Sequence, residues 1–83
     1  MARKIDIEVC GWMGFYSIRG ASPEGIIFLA HRVCFESWQG SPEDGIAVDD
    51  GNYAQAIADG AVEHGLTVEV NGVRYTEQSL QNG

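Results

Sequence analysis

Positive charge is what this chain has least of. Only 5 of its 83 residues are Lys or Arg against 12 Asp or Glu, a formal charge of −7. With so few cations to neutralise phosphates, direct binding of nucleic acid is not expected. Cysteine is almost as scarce. Cys10 and Cys34 are the only two, too few for a disulfide framework, and in a reducing compartment they are expected to be free and buried as small apolar residues. No apolar run is long. Ile26 to Ala30 is the longest, too short to cross a bilayer and without the pattern of an export signal, so a cytoplasmic protein with no membrane contact is expected. The sequence also lacks G-x-G-x-x-G, a P-loop, H-E-x-x-H and G-x-S-x-G. The motif-level grounds for nucleotide binding, zinc hydrolysis or serine chemistry are therefore missing. The expectation is a non-enzymatic protein with no cofactor.

What is present suits a small folded domain. Hydrophobic residues make up 45% of the chain, and no repeat or low-complexity segment interrupts it. At this length a single domain is expected, over residues 1–76, followed by a polar tail at 77–83. A chain this short buries only about 60–65% of its unfolded surface, so self-association is a natural source of added stability.

The pattern along the chain predicts the order ββαβαββ. Ile5, Ile7 and Val9 alternate with Asp6, Glu8 and Cys10, the signature of a half-buried strand. Gly11 to Gly14 interrupts it, and Phe15 to Arg19 reads as a strand pairing back. Ser22-Pro23-Glu24 starts a helix: a serine cap, proline at the first helical position and an acid at the positive end of the dipole. Gly25 stands where the glutamate of a capping box would be, so the box is incomplete. The apolar periodicity carries this helix to about Gln39, with Gly40 as its stop and Pro42 beyond. Ile46 to Val48 is a short strand. Asp49 to Asn52 caps a second helix over roughly Tyr53 to His64, ended by Gly65 and Leu66 in a Schellman arrangement. Leu66 to Val70 alternates again, and Asn71-Gly72 joins it to Val73 to Thr76 as a hairpin. The fold class is α+β, a small, mainly antiparallel sheet with two helices on one face.

Two groups of residues stand out as candidate binding sites. On a helix running to Gln39, Phe28, His31, Phe35 and Trp38 share one side, in addition to the face that Ile26, Leu29, Ala30 and Val33 turn to the core. With Trp12 and Met13 at the first hairpin, they are candidates for a partner-binding or dimer surface. Glu43, Asp44, Asp49, Asp50, Asp59 and Glu63 are the candidate acidic contacts, with Asp6, Glu8 and Glu69 extending the negative field. Such a field favours a protein partner with a basic surface. The metal and thiol readings are weaker. His31, Cys34, Cys10 and His64 lack the short cysteine spacing of a zinc site. His31 and Cys34 are close enough for a nucleophile and base, but nothing marks an oxyanion hole or an orienting third group. The acidic loop lacks the spacing of a calcium loop.

The layout also resembles a known group. The opening hairpin, S-P-E-G leading into I-I-F-L, then S-W-Q-G, G-I-A-V-D and A-V-E-H-G-L-T-V-E-V, resemble in size, charge and order the small accessory proteins of phages and prophages. Some of these are anti-defence proteins, including anti-CRISPR inhibitors. The resemblance implies a short, acidic, non-enzymatic inhibitor that binds surfaces of effector complexes where DNA or RNA normally lies. It assigns no residue a role. The alternatives are a homodimeric structural or adaptor protein joined through the aromatic face, and a small cysteine-dependent enzyme.

Overall fold

The computed structural model describes residues 5–12, 14–33 and 35–75, and of Trp12 and Ser37 the backbone alone. The described residues form strands β1 (Ile7–Trp12), β2 (Phe15–Gly20), β3 (Gly40–Ser41), β4 (Gly45–Val48), β5 (Val68–Val70) and β6 (Val73–Tyr75), with helices α1 (Pro23–Arg32) and α2 (Gly51–Glu63). The sheet order is β3-β4-β2-β1-β5-β6. All neighbours are antiparallel except β1 and β5, which run parallel with Ile7 opposite Val68. The α+β class and the mostly antiparallel sheet are as expected. The order becomes ββαββαββ, because Gly40–Ser41 pairs with β4 where a loop was expected.

Register explains the burial. Ile7, Val9, Ile18, Ile46, Val48 and Val68 point to one side of the sheet, and there they meet Phe28 and Leu29 from α1, Val33 just after it, and Ala54, Ile57, Ala58 and Ala61 from α2 in one buried cluster. The alternate residues, Glu8, Cys10, Phe15, Ser17, Arg19, Ala47, Glu69 and Arg74, turn to the other side. No described element covers that side. Cys10 is exposed there, not buried as expected, because it shares the parity of Glu8 and not of Val9. Asp6 departs in the opposite sense: at 8% exposure it belongs to the interior and adds little to a surface field.

The helix ends follow the local signals at three of four places. The Ser22 hydroxyl caps α1, accepting from the Gly25 amide at 3.1 Å, with Pro23 at the first helical position. The Asp50 carboxylate caps α2, accepting from the amides of Asn52 at 2.9 Å and Tyr53 at 3.4 Å. At the far end the Leu66 amide donates to the Ala61 carbonyl and the Gly65 amide to Val62, both at 3.0 Å, with Gly65 at φ 89°. These are the two bonds of the Schellman motif. The fourth end differs: α1 stops at Arg32, with Val33 extended at φ −110°, ψ 128°, and the chain passes through a 3-10 turn at Ser37–Gln39. The single aromatic face expected on this helix is therefore not formed.

Candidate functional site

The uncovered side of the sheet carries the most exposed aromatic surface among the described residues. Its first member follows from the hairpin. Phe15 opens β2 opposite Trp12, and alternation directs it away from the core that Tyr16 and Ile18 enter. Phe15 is 70% exposed. The second member, Trp38, is 79% exposed and arrives by a different route. The neighbouring Gln39 side chain ties the 3-10 turn to the sheet: its Nε2 donates to the Ala47 carbonyl at 2.9 Å, and its Oε1 accepts from the Glu36 amide at 2.7 Å. Trp38 is thereby held at the edge of β4, where it shares a hollow of about 160 Å³ with Phe15, Ala47 and Asp49. A second shallow hollow, of about 280 Å³, continues along Phe15, Ser17, Ala47 and Cys10. Phe15 and Trp38 thus form one exposed aromatic patch on this side of the sheet.

Charge frames the patch. The Arg19 guanidinium donates to the Glu8 carboxylate on the same side of the sheet. That hydrogen bond and the charge of Glu8 raise the Arg19 pKa further. With both side chains well exposed the pair adds little stability. Beyond it, Glu69 and Arg74 face each other across β5 and β6. At the opposite corner Asp49 is exposed beside Trp38.

The expected site residues fall in several places. Glu43 and Asp44 are exposed in the turn before β4, where Asp44 and Ser41 bond to each other at 3.2 Å. Asp49 and Asp50 lie beyond the other end of β4, with Asp50 occupied as a helix cap. Asp59 accepts from the Tyr75 hydroxyl at 2.6 Å, and Glu63 ends α2 beside the hollow between the helices. The six carboxylates thus sit on different elements, the turn before β4, the start of α2 and its later turns. Of the apolar candidates, Phe28 is only 8% exposed and belongs to the core, its ring 5.6 Å from that of His64 with the Arg32 guanidinium over it at 6.0 Å. His31 is exposed on α1, and Phe35 is half-buried against the core. Met13 and the Trp12 side chain lie outside the described residues, as do Cys34 and the tail at 77–83. Cys10 is on the uncovered side of the sheet, whereas His31 and His64 lie at the helix ends on the other, so these three do not converge. Among the described residues no group of three or more potential ligands is placed to hold a metal ion, and no helix is long and apolar enough to cross a membrane.

Phe15 is the residue that reading the sequence missed. Its signal was there: Phe15, Ser17 and Arg19 alternate with the core set Tyr16 and Ile18, which puts the phenylalanine on the outer face of a strand.

No family model, curated protein or solved structure matches this chain.

Proposed function

We propose that this chain is a non-enzymatic protein-binding module that docks through the uncovered face of its sheet, with Phe15 and Trp38 as anchors. The observation that carries this reading is that two large aromatic side chains stand 70% and 79% exposed and line one hollow. Aromatic anchors of this kind dominate binding energy at interfaces. The formal charge of −7 favours a partner with a basic surface. Such surfaces are common where a complex receives nucleic acid, so the module acts as an inhibitor that competes for such a surface, in the manner of an anti-CRISPR protein.

The test is a tagged pull-down from bacterial lysate at low and high salt, using the wild type and a Phe15→Ser/Trp38→Ser double variant. The expected result is a stoichiometric partner that handles nucleic acid, is lost as salt rises and is not retained by the variant. Retention of the same partner by the variant would remove the aromatic patch from the reading. The alternative is a homodimer closed through the same face, since an uncovered sheet face in so small a domain also suits a second copy. Analytical ultracentrifugation separates the two. A monomer across micromolar concentrations supports the partner reading, and a dimer that the double variant dissociates supports the homodimer.

A further inference from the structure

The opposite side of the sheet carries a second feature, independent of the docking patch. Between α2 and the sheet lies a hollow of about 260 Å³. Its floor is Val9 and Val70, adjacent in register on β1 and β5. Its roof is α2, which presents Ala54 and Ala58 there, and Tyr16 and Tyr75 flank it from β2 and β6.

Both flanking tyrosines are held in place. The Tyr16 ring lies over Gly11, where a Cβ would come 2.5 Å from the ring carbons, and its hydroxyl reaches Gly51, where a Cβ would come 3.1 Å away. Tyr75 is fixed by its 2.6 Å hydrogen bond to Asp59. Among the described residues the Tyr16 hydroxyl has no hydrogen-bond partner, although it lines the hollow. The Tyr75 oxygen is engaged on both sides, donating its proton to Asp59 and accepting from the side chain of Gln55, which also lines the hollow. Small residues on α2 leave this space open in a domain short of core, where a larger side chain would have filled it.

Size and polarity define the occupant. Apolar cavities of about 150 Å³ already take up benzene, whereas drug-sized ligands use pockets of about 300–1,000 Å³. A hollow of about 260 Å³ therefore suits one ring or a fused pair. The floor is apolar, which disfavours a charge, and the Asp59 carboxylate at the edge repels an anion. The Tyr16 oxygen offers an acceptor for a ring N–H. We propose that this hollow is a binding site for a small, flat, uncharged heteroaromatic molecule carrying a ring N–H.

Indole is the probe, and indene, of the same shape without the N–H, is the control. Each is titrated into the full chain and followed by backbone amide NMR. The expected result is saturable shifts at Val9, Ala54, Ala58 and Val70, with indole binding more tightly than indene. Ala58→Leu fills the hollow and should weaken indole by at least about tenfold. Tyr16→Phe, which keeps the ring and the fold, should remove the advantage of indole over indene. The proposal is overturned if neither probe shifts these residues up to its solubility limit. It is also overturned if the shifts fall on Phe15 and Ala47, or if folded Ala58→Leu and Tyr16→Phe bind indole as the wild type does. If Ala58→Leu does not fold, Tyr16→Phe decides alone.

Discussion

Gly25 shows how one missing side chain is dictated by a neighbour far away in sequence. It occupies the third position of α1, where a capping-box glutamate would reach back to the cap. A Cβ there would come 1.8 Å from the Asp6 carbonyl oxygen, so the helix start and the entry to β1 approach too closely for any other residue. Asp6 completes the junction. Its Oδ1 accepts from the Ser22 hydroxyl at 2.6 Å, its Oδ2 from the Thr67 amide at 2.9 Å, and its carbonyl from the Ala21 amide at 2.8 Å. One buried carboxylate thus joins β1, the start of α1 and the segment leading into β5. Two effects compete in Gly25→Ala. Helix propensity favours alanine by about 1 kcal/mol, and the clash opposes it. Because the clashing atom is backbone and cannot rotate away, overpacking wins, and we expect a net loss on the order of 1–3 kcal/mol in urea unfolding. A variant as stable as the wild type would mean that α1 does not sit against Asp6.

At the scale of elements, what could be read from the sequence was what local chemistry decides. The serine and aspartate caps, the Schellman ending of α2 and the Asn71-Gly72 hairpin all form as read, the last with φ of 52° and 83° at its two turn residues. The end of α1 was not legible, because a distant edge sets it. Seven more helical residues would carry the chain about 10 Å further along the helix axis. Instead the chain turns at Val33, so that Gln39 can bond Ala47 and Gly40 can pair with Ile46. Apolar periodicity runs on through Trp38 regardless, which is why Phe28, Phe35 and Trp38 read as one face and occupy three environments. The parallel pairing of β1 with β5 is likewise nonlocal and left no mark in either strand. Packing of β6 against α2 has a consequence for pH. Burial and the bond to Asp59 push the Tyr75 pKa up from 10.0 to about 12. A raised value means that the folded state holds its proton longer than the unfolded chain. The stability linked to Tyr75 is therefore complete below about pH 10 and is lost as pH rises towards about 12. In Tyr75→Phe the fall in unfolding free energy across that window should be shallower than in the wild type. An unchanged slope would place the alkaline sensitivity elsewhere.

For the molecule as a whole, the charge imbalance acts on folding and on binding with opposite sign. Twelve acids against five bases leave a net repulsion among carboxylates on a body of 33 × 27 × 19 Å. At about 0.01 M salt the screening length is roughly 30 Å, so each carboxylate feels charges across the entire molecule; at about 0.15 M it is roughly 8 Å, and only near neighbours interact. Net self-repulsion destabilises the compact state, while the exposed Glu8–Arg19 pair that salt would weaken contributes little. Adding salt over this range should therefore raise the melting temperature. The same screening weakens attraction to a basic partner and slows its association, so affinity should fall as stability rises. A general effect of salt on the fold cannot imitate this divergence, because a more stable binding surface would bind no less well. Melting temperature and partner affinity measured on one salt series decide the point. If both rise together, the partner is held by the apolar contacts of Phe15 and Trp38 without help from the acidic field, and a basic surface is no longer required of it.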